Sequence, residues 1–169
     1  ALNGTLSYYY RMYGGADDDL YVGTGYNLIC DSSGNDTAIL GDYSDSYASI
    51  YFDINANGTT GEDLFYIEKD ISTMTEKPSL SNATQIKYYF GKGKIESVIS
   101  VASGKLNESK LSTLATTVAN WLTEKGYQST SEVFTNTERA DHDTNVSEMM
   151  NLYKSADSYQ IGRASCRER

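Results

Sequence analysis

The stretch "YGGADDDLYVGTGYNLICDSSGNDTAILG", residues 13–41, alternates glycine-rich turns with short apolar runs. When these turns are aligned, one polar position recurs as Asp19, Asn27, Asp36 and, further along the chain, Asp45. The intervals of 8, 9 and 9 residues are close to the nonapeptide period of parallel β-helix repeats, in which each turn is followed by a short inward-facing strand. We therefore expect a short parallel β-roll in this part of the chain.

The acids in these turns predict a cation site. Turns two apart along such a roll stack, so Asp19 would lie above Asp36 and Asn27 above Asp45. Stacked carboxylates repel until a hard cation shares their charge, and Ca²⁺ accepts roughly six to eight oxygen ligands in irregular geometry. We expect one or two calcium ions, with the Asn27 side the weaker, and the candidate ligands come from the turns: Gly15, Asp17, Asp19, Asn27, Asp31, Gly34, Asp36 and Asp45.

Ordinary hairpins are the alternative interpretation of the same residues. Asp and Asn hydrogen-bond to their own backbone and tolerate left-handed conformations, so they are frequent in any turn. Strands of β-sandwiches also recur about every 8–12 residues. The repeated phase, with an apolar residue after each polar one, favours the calcium β-roll.

Composition excludes some partners. The net charge of -9 and the sequence pI near 4.5 argue against nucleic acid, whose phosphates would be repelled. The chain has no run of about 18 apolar residues, so no transmembrane segment is expected. Cys30, in the apolar patch "NLICD", is expected to be a buried structural thiol.

Both ends of the chain raise expectations of their own. The sequence starts at Ala1 without Met, so we expect its true beginning to lie upstream. The last residues, "IGRASCRER" (161–169), resemble the translation of a widely used sequencing-library adapter. We therefore expect this tail, with its cysteine Cys166, to be an artefact outside the fold.

The pattern of apolar residues divides residues 1–160 into three zones. Residues 1–47 hold the repeats. Residues 48–104 contain the strand-like runs "ASIYFDI", "DLFYIE", "QIKYYF" and "KIESVISV", which predict a β-rich capping segment. Residues 105–160 change to a helical period and predict a small α-helical module. The expected fold class is mainly β with C-terminal helices.

Three helical segments are expected in the last zone. An apolar stripe from Leu111 to Leu122 predicts an amphipathic helix that stops at Gly126. The run "STSEVF" predicts one helical turn. Asn145 and Glu148 have the spacing of a capping box, which predicts that the last helix starts at Asn145.

Other candidate sites are weaker. "DINANG", residues 53–58, copies the opening of an EF-hand loop, but Leu64 occupies the place of the bidentate Glu, and an Asn-Gly hairpin explains the same residues. His142, the only histidine, lies between two aspartates and is expected to be a solvated loop residue. Trp121 is expected in the core. The sequence contains no Gly-x-Ser-x-Gly elbow and marks no carboxylate pair, so no enzyme activity is expected.

The chain resembles the repeats-in-toxin (RTX) family of haemolysin-type calcium-binding proteins. "GGADDD", "GTGYN" and "DSSGND" echo successive turns of that family, although Ser32 and Ser33 replace glycines and Asn27 stands in for Asp. "ATQIKYYFGKGKIESV" is similar to the strand-rich segment that caps such repeats. "TVANWLTEKGYQSTSEVF" is similar to a helical module near the C-terminal end of large members.

The resemblance implies a calcium-dependent structural module of a secreted or cell-surface bacterial exoprotein, adhesin or toxin-like. It also implies export through a type I (ABC transporter) route, with folding outside the cell where calcium is abundant. A host or cell-surface ligand would then be bound by the rest of the parent protein. The alternative is a type IV pilin-like filament subunit that lacks its N-terminal apolar helix, because "DINANG" and the residues after it also resemble a pilin pattern.

Overall fold

A computed structural model describes residues 2–4, 10–42 and 47–155, with side chains from residue 10 onward in these ranges except that of Ser155. The described residues form two five-stranded sheets followed by helices. In chain order the strands are β1 (Leu2–Gly4), β2 (Tyr10–Tyr13), β3 (Leu20–Gly23), β4 (Asn27–Cys30), β5 (Thr37–Leu40), β6 (Ser49–Tyr51), β7 (Leu64–Ile67), β8 (Thr84–Ile86), β9 (Ser97–Ser100) and β10 (Gly104–Lys105).

The strands up to β5 wind as a parallel coil that alternates between the sheets. The first sheet has the order β1-β3-β5-β9-β10, and the second has the order β2-β4-β8-β7-β6. Leu20 pairs with Thr37 in the first sheet, and Tyr10 pairs with Asn27 in the second, so that equivalent positions are 17 residues apart. Strands two apart along this part of the chain are therefore neighbours in one sheet, and Asp19 lies beside Asp36 as predicted.

One further turn of the coil comes from residues 48–104, which were predicted to form a capping segment. β8 extends the second sheet in parallel beside β4, and β9 extends the first in parallel beside β5. The intervening segment contributes the antiparallel pair of β6 and β7. The Asn-Gly hairpin predicted at residues 53–58 is confirmed, since Asn55 and Gly58 close the turn through backbone hydrogen bonds.

Alternating side chains fill the space between the two sheets. Met12, Ile29 and Ile86 lie in register on neighbouring strands of the second sheet, and all three are buried. Tyr66 crosses to the first sheet, where its hydroxyl lies 2.9 Å from Ser100 Oγ. Burying each large apolar side chain contributes about 1.5–3 kcal/mol, so these columns are a main source of stability.

The run "QIKYYF" departs from the strand that the sequence predicts. Only its beginning belongs to β8, and Tyr88 to Phe90 form a turn. Tyr88 has φ 56, and its carbonyl oxygen accepts the amides of Gly91 and Gly93 at 2.8 and 3.0 Å. The two glycines that follow the aromatic residues allow the chain to reverse there, and the alternating pattern carried no sign of this.

Three helices complete the described chain: α1 (Glu108–Lys125), α2 (Thr130–Thr135) and α3 (His142–Ser155). The stripe from Leu111 to Leu122 is buried as predicted, and Gly126 ends α1 in the left-handed conformation with φ 78. Asn107 caps the N-terminus through its side-chain oxygen, which accepts the amides of Ser109 and Lys110. The turn predicted at "STSEVF" is confirmed as α2.

The predicted start of α3 at Asn145 is wrong, because the helix begins at His142. Asn145 is 1% exposed and its amide donates to the carbonyl oxygen of Asp141, which places it inside the first turn. Its side chain donates to the Tyr127 hydroxyl at 3.0 Å rather than capping a helix. Asn145 therefore forms a buried hydrogen bond with Tyr127 and does not cap the helix.

The helices share one hydrophobic core with the sheets. The Tyr153 hydroxyl of α3 donates to the Phe52 carbonyl oxygen at 2.6 Å, and its ring stacks on Tyr51 with centroids 5.3 Å apart. Thr130 of α2 donates its amide to the Ile54 carbonyl oxygen at 2.9 Å. Among the described helices, none has the length and apolar character needed to cross a membrane.

Candidate metal site

The turn before β3 lies against the turn before β5. The amides of Ser32 and Ser33 both donate to the Gly15 carbonyl oxygen, at 3.3 and 3.1 Å. The Asn35 amide donates to Asp18 Oδ1 at 2.9 Å. The middle acid of the Asp-Asp-Asp run therefore holds the next turn of the coil in place.

Three carboxylates meet where these turns stack. Asp19 precedes β3, Asp36 precedes β5 and Asp31 follows β4. One oxygen of each lies within 4.8 Å of an oxygen of the other two. Asp36 Oδ1 also accepts the amide of Asp19 at 2.8 Å. The structure brings the stacked pair together and adds Asp31 from the opposite end of the turn; we call these three residues the acidic triad.

Tyr21 and Gly14 form the wall of the acidic triad. The Tyr21 side chain is fully buried, and its hydroxyl donates to Asp31 Oδ2. A Cβ atom at Gly14 would overlap the Tyr21 hydroxyl, Asp19 Oδ2 and Asp31 Oδ2. The cluster of oxygens thus fills the space that any side chain at this glycine would need.

Two carboxylate oxygens at the triad are buried without a hydrogen bond. Asp19 Oδ2 and Asp36 Oδ2 have no partner among the described residues, and Asp36 is only 1% exposed. Burial raises the pKa of Asp36, and the nearby carboxylates of Asp31, Glu96 and Asp19 raise it further, against the hydrogen bond from the Asp19 amide. Burial and the hydrogen bond to Asp31 likewise raise the pKa of Tyr21 above its usual range.

This electrostatic arrangement fits a cation. Two unit charges 4.8 Å apart, the upper limit of the separations in the triad, repel by about 3.5 kcal/mol when the effective dielectric constant is about 20. An ionised carboxylate that is buried without a partner adds a desolvation cost. A hard cation among the three carboxylates would remove both costs, and the donor set consists of the oxygen ligands that Ca²⁺ prefers.

The other predicted ligands in this region form the turns rather than the triad. Gly15 and Gly34 have φ 116 and φ 145, which require glycine, and a Cβ at Gly34 would clash with the Asp17 carbonyl oxygen. The Asp17 side chain is exposed. Asp45 lies outside the described residues.

The stacking of Asn27 on Asp45 stays a prediction, because Asp45 lies outside the described residues. Asn27 pairs with Thr84 of β8 on one side and with Tyr10 of β2 on the other. The chain between β5 and β8 leaves the coil to form β6 and β7, which the spacing of the repeats did not indicate. Asn27 is fully buried, and its side-chain nitrogen donates to the Thr24 carbonyl oxygen at 2.7 Å.

Tyr21 and Glu96 lie beside the predicted ligands but were not among them. Glu96 is the residue before β9, and its Oε2 accepts the Asp36 amide at 2.8 Å. The missed signal is the repeated pattern of one acid followed by a four-residue strand, as in "DLYVG", "DTAIL" and "ESVIS". Tyr21 carried no signal of its own, because an inward-facing aromatic residue in a strand is ordinary core.

The weaker candidate sites have structural partners. Asp53 of "DINANG" accepts hydrogen bonds from the hydroxyls of Tyr51 and Thr130, at 2.8 and 3.3 Å. His142 starts α3 instead of lying in a loop, with its ring beside the Asp143 carboxylate. Cys30 is half-buried, and burial raises the pKa of its thiol. Within the described part of the chain, the acidic triad is the one cluster of three potential ligands.

No family model matches this sequence, and neither a curated protein nor a solved structure matches it. The resemblance to RTX proteins therefore stays a prediction. Within the described residues, the acidic triad is the structural feature that bears on function.

Proposed function

We propose that this chain is a calcium-dependent structural module of a secreted bacterial exoprotein of the RTX type, and that its coil is a short β-roll. The observation that carries the proposal is the buried Asp36 carboxylate, which has an unpartnered oxygen and two further carboxylates within 4.8 Å. Without a cation this arrangement is unfavourable. With one it becomes a source of folding free energy.

Calcium fits the donor set better than a transition metal. The triad is built from carboxylates, and neither Cys30 nor His142 belongs to it, whereas Zn²⁺ sites depend on thiolate and imidazole ligands. Mg²⁺ demands near-ideal octahedral geometry, which an irregular cluster of turn residues does not favour. Ca²⁺ tolerates such a cluster and completes its coordination with carbonyl oxygens and water.

Metal binding would be coupled to winding of the coil. Asp19 and Asp36 belong to consecutive turns of the coil, and Asp31 lies between them in sequence, so that the three carboxylates converge only after the chain has wound. The unwound chain keeps its acids apart and binds calcium weakly. This coupling suits a chain that crosses a membrane unfolded through a type I exporter and folds outside as an adhesin or toxin-like protein.

The test is a calcium titration of the whole chain after EGTA treatment, followed by circular dichroism and thermal unfolding. A ligand at about 100 times its dissociation constant stabilises by about 2.7 kcal/mol, which for a chain of this size raises Tm by roughly 5–10 °C. We expect that rise for the wild type and for Asp143→Asn, whose side chain is 92% exposed. Asp36→Asn should abolish it.

An unchanged Tm at 10 mM calcium in the wild type would contradict the proposal and favour the pilin-like alternative. An Asp36→Asn variant with the full wild-type response would remove the acidic triad from the account even if calcium binds elsewhere.

A further inference from the structure

Glu96 occupies the same place in its turn of the coil as Asp19 and Asp36 in theirs. Thr37 pairs with Leu20 on one side and with Ser97 on the other. The residues immediately before these three are therefore neighbours across the first sheet. All three are acidic, and we call them the acid ladder: Asp19, Asp36 and Glu96.

Each step of the ladder is a hydrogen bond from a backbone amide to the next carboxylate. The Asp19 amide donates to Asp36 Oδ1, and the Asp36 amide donates to Glu96 Oε2, both at 2.8 Å. Backbone bonds run alongside: Thr37 N donates to the Asp19 carbonyl oxygen at 2.9 Å, and Ser97 N to that of Asp36 at 3.0 Å. The third member thus repeats the contact of the second with a side chain one methylene longer.

We propose that Glu96 is a positioning residue for the calcium site and is not itself one of the triad's ligands. This inference rests on the proposed function of the triad. By holding the Asp36 amide, Glu96 fixes the backbone from which the Asp36 carboxylate projects. Asp36 then uses Oδ1 to hold Asp19 and keeps its unpartnered Oδ2 for the ion.

Removing the Glu96 carboxylate would leave the amide of a 1% exposed residue without its acceptor. A buried amide in that state favours movement of the turn towards water. Partners that orient metal ligands typically change affinity by about 10-fold to 100-fold when they are lost. The site would therefore depend on the coil turn formed by β8 and β9, in addition to the repeats themselves.

The experiment measures the calcium dissociation constant of the full chain by isothermal titration calorimetry. We expect Glu96→Ala to weaken calcium binding at least about 10-fold. Glu96→Gln, whose amide oxygen still accepts the Asp36 amide, should rescue affinity to within about 3-fold of the wild type. Glu124→Gln, an equal change of charge on the exposed face of α1, is the matched control and should bind as the wild type does.

The remaining outcomes of the calcium titrations would overturn the inference. The inference is overturned if Glu96→Ala binds calcium within 3-fold of the wild type. It is also overturned if Glu96→Gln binds calcium as weakly as Glu96→Ala, because the charge of Glu96 rather than its hydrogen bond would then determine the affinity. A wild type that binds no calcium overturns both this inference and the proposed function. If Glu96→Ala does not fold, the Asp36 amide proton decides by NMR: its resonance should move upfield in Glu96→Gln, and an unchanged resonance overturns the inference.

Discussion

The two sheets of the coil differ in the chemistry of the positions where the chain enters them. Where the chain enters the first sheet, the stacked positions hold Asp36 and Glu96, with Asp19 below them. Where it enters the second sheet, the stacked positions hold Asn27 and Thr84. We call the side with Asp19, Asp36 and Glu96 the acidic edge and the side with Asn27 and Thr84 the neutral edge. Both edges bury polar atoms, but only the acidic edge concentrates negative charge.

Side-chain donors close the neutral edge, although Asn27 Oδ1 is itself buried without a hydrogen bond. The Asn27 side chain donates to the Thr24 carbonyl oxygen, and the Thr84 hydroxyl donates to the Gly25 carbonyl oxygen at 2.9 Å. The Gly25 amide in turn donates to Glu68 Oε1 at 2.8 Å. Donors carried by amide and hydroxyl groups satisfy carbonyl oxygens that carboxylates would repel. The residue types at the ends of the turns therefore decide whether an edge carries charged or neutral groups.

The largest expected effect comes from placing a charge on the neutral edge. Asn27→Asp would face the Thr24 carbonyl oxygen with a carboxylate in a fully buried position. An uncompensated buried charge costs about 3–5 kcal/mol, so we expect a loss of that size in the free energy of unfolding by urea at pH 7. Calcium should not restore it, because Thr84 supplies no second carboxylate.

Asn57→Asp is the matched control for that variant. Asn57 is exposed, and its Oδ1 accepts the amide of Thr59 at 3.0 Å, a bond that a carboxylate preserves. We expect a change within about 0.5 kcal/mol and no new calcium response. Calcium rescue of Asn27→Asp would show that the neutral edge can bind calcium as the acidic edge is expected to do.

A smaller effect is expected in the pH dependence of the metal-free protein. The pKa of Asp36 is raised in the fold, so its contribution to stability is full below the unfolded value of about 3.9 and is lost as pH rises through the folded value. Asp36→Asn cannot ionise. In EGTA the free energy of unfolding of Asp36→Asn, measured relative to that of the wild type, should therefore increase between pH 4 and pH 7.

Asp70 is a control whose pKa shift, and therefore whose effect on the pH dependence of stability, has the opposite sign. Hydrogen bonds from Ser72 lower the pKa of Asp70, so its contribution is present above the unfolded value and is lost as pH falls through the folded value. Asp70→Asn should be destabilising at pH 7, with a deficit that shrinks towards pH 3. A difference between Asp36→Asn and the wild type that stays constant with pH would show that Asp36 is not destabilised as an anion.

Much of the local structure could be predicted from the sequence, because it depends on local signals. The stripe of α1, its stop at Gly126 and the hairpin at "DINANG" each follow from residues within a few positions of one another. The pairing of Asp19 with Asp36 also follows from a local period. The start of α3 could not be predicted, because Asn145 is held by Tyr127, a contact between distant residues that no capping pattern encodes.

The candidate site was predictable only in part, for the same reason. The repeats indicate which acids lie in consecutive turns of the coil, so Asp19 and Asp36 could be foreseen. Glu96 is 60 residues from Asp36 because β6 and β7 interrupt the coil, and the period is lost across that interruption. Because of the same interruption, the period did not indicate that β8 would pair with β4 and bring Thr84 beside Asn27.

Anomalous diffraction from crystals grown with calcium chloride would locate a bound ion directly. We expect one peak among Asp19, Asp31 and Asp36, about 2.3–2.6 Å from a carboxylate oxygen of each, and none beside Asn27 and Thr84. A peak at the neutral edge or at Asp53, or an acidic triad without a peak at saturating calcium, would contradict the proposed calcium site.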